Sequence, residues 1–336
     1  IGAQALAAVG SSAPVINLLV SFFMGLSVGA GVIISRYFGA RNMESLQDSI
    51  HTSLALTMTA GIFMTLFGII FSPTILRWIG TPSDVMSSSV LYLRIYFGGI
   101  LSVMLYNMGS GILRAVGDSK NPLYFLIVSS ITNILLDLLF VIVFDMGIAG
   151  VGWATLIAQT ISAVLTLLLL IKTKQEYKVT LKKIRFHKDK LIEIIRLGLP
   201  SGIQNGVVSF SNVIVQSNIN AFGSLAMAGC GPYTKIDGFA ILPVMSYSMA
   251  LTTFTGQNMG AKKYDRVKQG ARSGIIMSLL TTIAISALLL IFGEQVLSIF
   301  SDNPKVISYG LYMMHVLAPF YIFLAISHAF NGIIRG

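Results

Sequence analysis

The sequence predicts an all-α protein that crosses a membrane many times and consists of two repeated halves. Of its 336 residues, 54% are hydrophobic and only 11% are charged, whereas roughly a quarter of the residues are charged in a typical soluble domain. Nearly uncharged runs of about 20 residues recur along the chain, and this is the length that an α-helix needs to cross the hydrocarbon core of a bilayer. The single cysteine, Cys230, excludes a disulfide framework and a cysteine-based metal site.

Nine helices are predicted to cross the membrane, each as an apolar run bounded by glycine, proline or polar residues. These boundaries mark loops, because an irregular backbone inside a bilayer would leave polar groups without hydrogen-bond partners. The segments 80–84 and 301–304 are of this kind. The predicted spans are 13–37, 50–72, 88–113, 122–144, 148–172, 196–220, 233–258, 273–295 and 306–332.

An internal repeat relates positions that lie 221 residues apart. Glycines and cations keep this register from residue 2 to residue 114, which apolar composition alone does not produce. Such a fixed offset indicates a duplication. The pairs that define it include Gly39 and Gly260, Arg41 and Lys262, Gly111 and Gly332, and Arg114 and Arg335.

The repeat also predicts helices beyond both ends of the sequence. The span 196–220 precedes the second copy, so its counterpart would fall before residue 1. The spans 122–144 and 148–172 follow the first copy, so their counterparts would fall after residue 336. We therefore expect a protein of six plus six helices, represented here without its first helix and its last two. An offset of six spans gives both halves the same orientation, which is a parallel repeat.

The longest polar segment divides the chain into an N-terminal lobe at 1–175, a cytoplasmic linker at 176–194 and a C-terminal lobe at 195–336. Apolar residues alternate with lysines and arginines in this linker. That pattern predicts a segment lying partly on anionic headgroups. The apolar residues are Val179, Leu181, Ile184 and Phe186.

The distribution of cations predicts the orientation of the chain. The sequence has 23 lysines and arginines against 13 acids, a formal net charge of +10. Most of these cations lie in the loops after the first, third, fifth, seventh and ninth spans. By the positive-inside tendency, those loops face the cytoplasm and residue 1 lies outside. The basic charge is thus explained by topology, so we expect the lipid bilayer as a partner and no nucleic acid.

Asp137 is the most informative charged residue within a predicted span. It lies well away from either loop, and a carboxylate inside a membrane is a functional hypothesis by default. Asn133 lies one helical turn before it, on the same face. A carboxylate beside an amide oxygen is suited to hold a monovalent cation such as Na⁺, or to carry a proton, and Thr155 on the next helix could add a hydroxyl oxygen.

Polar residues in the second half predict a cavity or gating role. Gln204 and Asn205 belong to a span with many small and polar side chains, which is unlikely to face lipid on all sides, although close packing of small residues explains the serines and glycines equally well. Lys235 and Asp237 lie near the outer end of the following span, where their proximity suggests a charge pair.

The sequence carries no catalytic constellation. It has no Ser/His/Asp arrangement within a plausible pocket, no metal-binding His/Glu spacing and no glycine-rich phosphate loop before a lysine. We therefore predict that the protein is not an enzyme, needs no cofactor and binds no nucleotide. An ion gradient is then the expected source of energy.

These residues resemble the multidrug and toxic compound extrusion (MATE) transporters, antiporters that expel organic cations in exchange for sodium ions or protons. The segment from Lys235 to Ala240 is similar to the bacterial branch related to the DNA-damage-inducible members. The other matching motifs are Gly2-x-x-Ala5-x-Ala7, Gly39-Ala40-Arg41, Thr255-Gly256-Gln257-Asn258-x-Gly260-Ala261 and Asn133-x-x-x-Asp137.

The resemblance implies a two-lobe transporter whose central cavity opens alternately to either side of the membrane. Asn133, Asp137 and Thr155 match the positions of the family's cation site in the first lobe. The family's other site carboxylate belongs to a helix before residue 1, and the span 196–220 has no counterpart of an acid found on the seventh helix of some members. The resemblance thus implies coupling through the first lobe, to protons or to sodium ions.

The predicted function is the export of amphipathic drugs or toxic metabolites, with organic cations as substrates and H⁺ or Na⁺ as the coupling ion. We expect a monomer in the bacterial cell membrane. One alternative is a lipid-linked oligosaccharide flippase of related architecture, although it would need cations inside the cavity to meet a pyrophosphate. A membrane-embedded enzyme or receptor is the other alternative, and the lack of a catalytic set argues against it.

Overall fold

The structure is a computed structural model that describes residues 3–221, 224–300 and 303–336, with side chains described from residue 16 onward except 213, 216, 217 and 220–228. Ten α-helices account for most of these residues. They are α1 (Ala3–Gly39), α2 (Met43–Trp78), α3 (Met86–Ala115), α4 (Lys120–Leu138), α5 (Gly147–Lys172), α6 (Lys188–Ala221), α7 (Ser224–Gly260), α8 (Tyr264–Ser298), α9 (Pro304–Leu317) and α10 (Tyr321–Arg335). Three short elements interrupt them: a π-helix at Leu139–Val143 and 3₁₀-helices at Leu181–Lys183 and Ala318–Phe320.

The all-α membrane architecture predicted from the sequence is confirmed. Within the described residues, eight segments are long and apolar enough to cross a bilayer, and α9 and α10 together form one of them. The 3₁₀ turn between these two helices contains Pro319, which cannot donate a backbone hydrogen bond to the preceding helix. The remaining predicted span, 196–220, lies in α6, which is 34 residues long but is not among the eight. Polar residues along α6 lower its hydropathy.

Contacts divide the chain into two compact units. Unit 1 comprises Ile1–Phe38 and Asn42–Ser209, and unit 2 comprises Gly39–Arg41 and Phe210–Gly336. The division falls inside α6, downstream of the boundary at residue 195 that the sequence suggests. The largest buried cluster of unit 1 joins α1, α2, α3 and α5 to Val179 of the linker and Ile194 at the start of α6. In unit 2, smaller clusters join α7 to α8, α9 and α10.

The duplication is visible in the helix boundaries and in the turn that ends the first helix of each copy. Both α1 and α7 have 37 residues, and their boundaries differ by the offset found in the sequence. The second residue after each helix has a left-handed backbone, with φ of 54° at Arg41 and 56° at Lys262. The backbone N–H of Asn42 donates to the Tyr37 carbonyl at 3.1 Å, and that of Lys263 donates to the Asn258 carbonyl at 2.8 Å. Each copy thus ends its first helix with the same backbone hydrogen bond.

Candidate functional site

Asp137 lies at the end of a regular helix, next to a wider one. It belongs to the last turn of α4, and the π-helix Leu139–Val143 follows immediately. In this segment the Phe144 N–H donates to the Leu139 carbonyl at 3.0 Å, five residues back rather than four. Single π-helical turns inside α-helices are rare and are found frequently at functional sites.

One polar atom in each of the Asp137 and Asn133 side chains has no hydrogen-bond partner among the described residues. Asp137 Oδ1 and Asn133 Nδ2 are both shielded from solvent, and neither has a partner among the described residues. Most buried polar groups in proteins are hydrogen-bonded, so an exception calls for an explanation such as an ion, a proton or a water molecule at the site. The two residues are one turn apart on α4, as the sequence predicts.

Two tyrosines of α3 lie between Asp137 and Thr155, the residue that α5 is predicted to add to the site. Tyr92 is only 7% exposed and lies near Asp137. Tyr96 lies one turn further along α3, where it lines a small cavity together with Thr155 and Gln159. In the described structure no hydrogen bond joins Thr155 to Asp137, so this part of the predicted cation site remains a prediction.

Asn205 contacts α1 within unit 1. Its Nδ2 donates to the Ser21 carbonyl at 3.1 Å, and Ser209 Oγ donates to Ser21 Oγ at 3.2 Å. The two helices approach closely, because a Cβ atom added to Gly25 would lie 2.2 Å from the backbone nitrogen of Gly202. Close packing of small residues therefore accounts for much of this face of α6.

Gln204 has an exposed side chain. Its role in a cavity or a gate, and that of Asn205, stay predictions.

Asp237 has hydrogen-bond partners, in contrast to Asp137. The Tyr233 hydroxyl donates to Asp237 Oδ1 at 3.2 Å, and the Tyr321 hydroxyl donates to the same oxygen. The two hydroxyl oxygens are 3.2 Å apart. Tyr233 and Tyr321 are 4% and 7% exposed, so this cluster of α7 and α10 is buried within unit 2.

The charge pair suggested for Lys235 and Asp237 is not formed between these two described side chains. Lys235 Nζ instead lies 5.8 Å from the centre of the Phe300 ring, a distance typical of a cation–π contact. The pairing fails because Asp237 turns toward the tyrosines while Lys235 is exposed. The gating role predicted for both residues remains a prediction.

The sequence pattern did not predict the tyrosines that lie near the two carboxylates. Tyr233 precedes Asp237 by four residues, so the helical period alone could have paired them. Tyr321 follows Pro319 and is on a different helix from Asp237, and Tyr92 is on a different helix from Asp137. Only the packing of helices therefore reveals that each tyrosine lies near a carboxylate.

Comparison with known proteins identifies the family. A family model described as MatE matches residues 1–139 and 200–336. The chain is 34% identical to the probable multidrug resistance protein YoeA of Bacillus subtilis, over 94% of this chain and 69% of that protein. It is 30% identical to the probable multidrug resistance protein YpnP of the same bacterium, over 100% of this chain and 75% of that protein.

Solved structures agree with these matches. A multidrug resistance MATE family transporter of the MOP superfamily, in an outward-facing conformation, superposes with a TM-score of 0.92 at 25% identity, covering 100% of this chain and 76% of that one. A MATE protein in the bent conformation gives 0.90 at 25% identity, covering 99% and 75%. These matches do not favour the flippase alternative. The chain therefore belongs to the MatE family, as a multi-pass transporter of the bacterial plasma membrane rather than an enzyme.

Proposed function

We propose that this transporter exports amphipathic organic cations in exchange for H⁺ or Na⁺, and that Asp137 is the residue that couples the two movements. The observation that carries this proposal is Asp137 Oδ1 on α4, a shielded carboxylate oxygen without a hydrogen-bond partner among the described residues. The names of the relatives, several of which are multidrug resistance proteins, support drug-like substrates.

The free energy of an unpaired carboxylate explains how Asp137 could couple transport. A carboxylate shielded from water and without a hydrogen-bond partner is costly, and binding of a proton or a cation removes that cost. An ion that binds one conformation of the transporter better than the other shifts the population toward it. Binding and release of the ion at Asp137 would in this way bias the conformational equilibrium on which export depends.

The π-helix beside Asp137 supports the same role. Single π-helical turns are rare and are found frequently at functional sites, and this one begins two residues after Asp137. Asn133 contributes an amide oxygen that would favour Na⁺, whereas proton coupling would need only the carboxylate. The choice between the ions therefore depends on Asn133 as much as on Asp137.

The charge of the substrate requires its own test, since relatives differ in cargo. One relative, from Shewanella oneidensis, is named an FAD transporter and is 25% identical over 94% of this chain and 71% of that protein. We propose cationic substrates for this chain because the predicted spans contain only five cations, all of them near span ends: Arg36, Arg94, Lys172, Arg196 and Lys235. An anionic cargo would be expected to require more.

The test measures ethidium efflux from vesicles that contain the protein, driven separately by a proton gradient and by a sodium gradient. We expect efflux to follow one of the two gradients and to be lost in Asp137→Asn. Asp145→Asn is the matched control, because Asp145 is exposed and its left-handed backbone, with φ of 49°, accepts asparagine readily. It removes the same charge eight residues away and should leave efflux unchanged.

Two outcomes would contradict the proposal. If Asp137→Asn exports ethidium as fast as the wild type under the same gradient, Asp137 is not the coupling residue. If a folded wild type moves FAD but not ethidium under either gradient, the cargo is anionic and the proposed substrate class is wrong.

A further inference from the structure

The cytoplasmic linker is attached to unit 1 rather than free in solvent. The Val179 N–H donates to the Leu170 carbonyl at 2.8 Å, which turns the chain back along the end of α5. The Thr180 N–H then donates to Nε2 of the buried His51 at 3.1 Å, and the His187 N–H donates to Thr52 Oγ1 at 3.1 Å. Two neighbouring residues of α2 thus hold the linker at points seven residues apart.

Because the linker is attached to unit 1, some of its apolar residues are buried and others are exposed. Val179 is 1% exposed and Ile184 packs against the largest cluster of unit 1. Leu181 and Phe186 face away from that cluster, with 63% and 46% of their surfaces exposed. Leu181 and Phe186 are thus two large apolar side chains on the exposed side of a backbone that is attached to α2.

Three cations lie between these two apolar side chains. Lys182, Lys183 and Arg185 are all exposed, and none of them is within 4.0 Å of a carboxylate in the part of the chain that the structure describes. Arg185 Nε donates to His187 Nε2 at 2.7 Å, and the other ring nitrogen of His187 lies 2.8 Å from Asp48 Oδ1. The positive charge of Lys182 and Lys183 is therefore presented outward together with Leu181 and Phe186.

Lys190 shows that not every cation in this region faces outward. Its ammonium group lies 4.0 Å from the centre of the Tyr37 ring and 3.5 Å from Glu193 Oε1. Burial lowers the pKa of Lys190, but the Tyr37 hydroxyl and the Glu193 carboxylate more than offset this effect, so that the pKa lies above its usual value. Lys190 is thus paired with Glu193, whereas Lys182 and Lys183 have no carboxylate within 4.0 Å in the described part of the chain.

We propose that Leu181, Lys182, Lys183, Arg185 and Phe186, here called the linker face, bind anionic phospholipids of the cytoplasmic leaflet. The linker leaves α5 after Lys172 and enters α6 at Lys188, so it runs between helix ends on the cytoplasmic side. Anionic headgroups attract lysines and arginines near the surface, while leucine and phenylalanine side chains bury their apolar surface at the level of the acyl boundary. The combination of unpaired cations with exposed apolar residues matches that chemistry.

The test places a fluorescent reporter on the linker face. Phe186→Trp is introduced together with Trp78→Phe and Trp153→Phe, which remove the only other tryptophans at exposed positions on the apolar surface. The protein is reconstituted in mixed vesicles of phosphatidylglycerol and phosphatidylcholine, with one lipid brominated at a time. At equal mole fraction we expect brominated phosphatidylglycerol to quench the tryptophan about twofold more than brominated phosphatidylcholine, because three cations enrich the anionic lipid.

Substitution of the three cations provides the specificity test. Lys182→Gln, Lys183→Gln and Arg185→Gln together should abolish the preference for phosphatidylglycerol, and 0.5 M salt, roughly the range where surface charges are screened, should weaken it. The matched control, Lys262→Gln, Lys263→Gln and Arg266→Gln, removes the same charge from exposed residues of another cytoplasmic turn and should leave the preference intact.

Other occupants of the linker face would give different results. Equal quenching by both brominated lipids, with full access to acrylamide from the aqueous phase, would mean that the linker is solvated. Protection from both lipids and from acrylamide would mean that protein covers the linker face. Either result overturns the proposal, and neither depends on whether the transporter moves ethidium.

Discussion

The two halves of the repeat share one turn but contain carboxylates in opposite situations. Asp137 follows the first copy, on α4, and its Oδ1 has no hydrogen-bond partner among the described residues. Asp237 is within the second copy, on α7, and its Oδ1 accepts hydrogen bonds from Tyr233 and Tyr321. Both are single acids on long apolar helices, so composition does not distinguish them.

The difference lies in what each carboxylate contributes to folding. Hydrogen bonds from the two tyrosine hydroxyls offset the cost of shielding Asp237 from water, so this residue can stabilise unit 2. Shielding Asp137 Oδ1 from water has the same kind of cost, but no hydrogen bond offsets it. Proteins retain such an unpaired polar group where a functional site requires it. Hydrogen-bonding state, rather than burial, thus indicates which carboxylate is available to an ion.

The largest expected effect is an opposite change in stability when each carboxylate is replaced by leucine. Asp137→Leu should raise the free energy of unfolding by about 1–3 kcal/mol, because it removes an unpaired polar group from an apolar surrounding. Asp237→Leu should lower it by about 2–4 kcal/mol, because two buried tyrosine hydroxyls lose their acceptor. Unfolding of the purified variants in mixed micelles by increasing sodium dodecyl sulfate measures both changes.

The effect of Asp137→Leu on transport should be opposite to its effect on stability. Asp137→Leu should lose gradient-driven efflux despite its higher stability, and this separates loss of coupling from loss of folding. The comparison fails if Asp137→Leu is the less stable variant, since Asp137 would then have a partner in the folded state.

Removing a single tyrosine hydroxyl near each carboxylate tests the difference between Asp237 and Asp137 one hydrogen bond at a time. Tyr321→Phe should lower the free energy of unfolding by about 1.5–3 kcal/mol, because it removes a donor to a charged acceptor. Tyr92→Phe is the matched variant, since Tyr92 is equally buried and is near Asp137. It makes no hydrogen bond among the described residues, so we expect a change within about 0.5 kcal/mol. An equal loss in both variants would show that Tyr92 also donates to a buried group.

The sequence predicted most of the architecture because its signals are local. Apolar runs, breaks at proline and glycine, and the placement of cations depend only on neighbouring residues, and they located the long helices and the repeat. The fixed offset also paired Arg41 with Lys262, and the structure gives both residues a left-handed backbone.

The candidate site was only partly predictable for the same reason. Asn133 and Asp137 lie on one helix, so the helical period placed them together. The partners of Asp237 and the supports of the linker come from residues distant in sequence, such as Tyr321 and His51. Alternation of apolar and basic residues in the linker likewise did not reveal that Val179 is buried while Leu181 is exposed, since that depends on attachment to α2.

Equivalent glycines of the two halves offer a smaller test of how closely the copies match. A Cβ atom at Gly332 would lie 2.4 Å from the Ser248 carbonyl oxygen, whereas one at Gly111 would lie 3.4 Å from the equivalent Ser27 oxygen. Gly332→Ala should therefore lower the free energy of unfolding by about 1–3 kcal/mol through overpacking against backbone. Gly111→Ala should change it by less than about 1 kcal/mol, because better helix propensity opposes a tighter contact. Equal losses in the unfolding titration would mean that both copies pack alike.

The smallest expected effect concerns the turn that the two halves share. Arg41→Gly and Lys262→Gly should each raise the free energy of unfolding by about 0.5–1 kcal/mol, because both residues have a left-handed backbone that glycine adopts without strain. Lys263→Gly is the control. It removes a neighbouring cation whose φ is −93°, so it relieves no strain and should not stabilise the protein. Because the backbone geometry is the same in both copies, the two gains should agree within about 0.5 kcal/mol. If only one of the two substitutions raises the free energy of unfolding, the stability of this turn differs between the halves. Contacts around the turn, rather than backbone strain, would then determine the effect of the substitution.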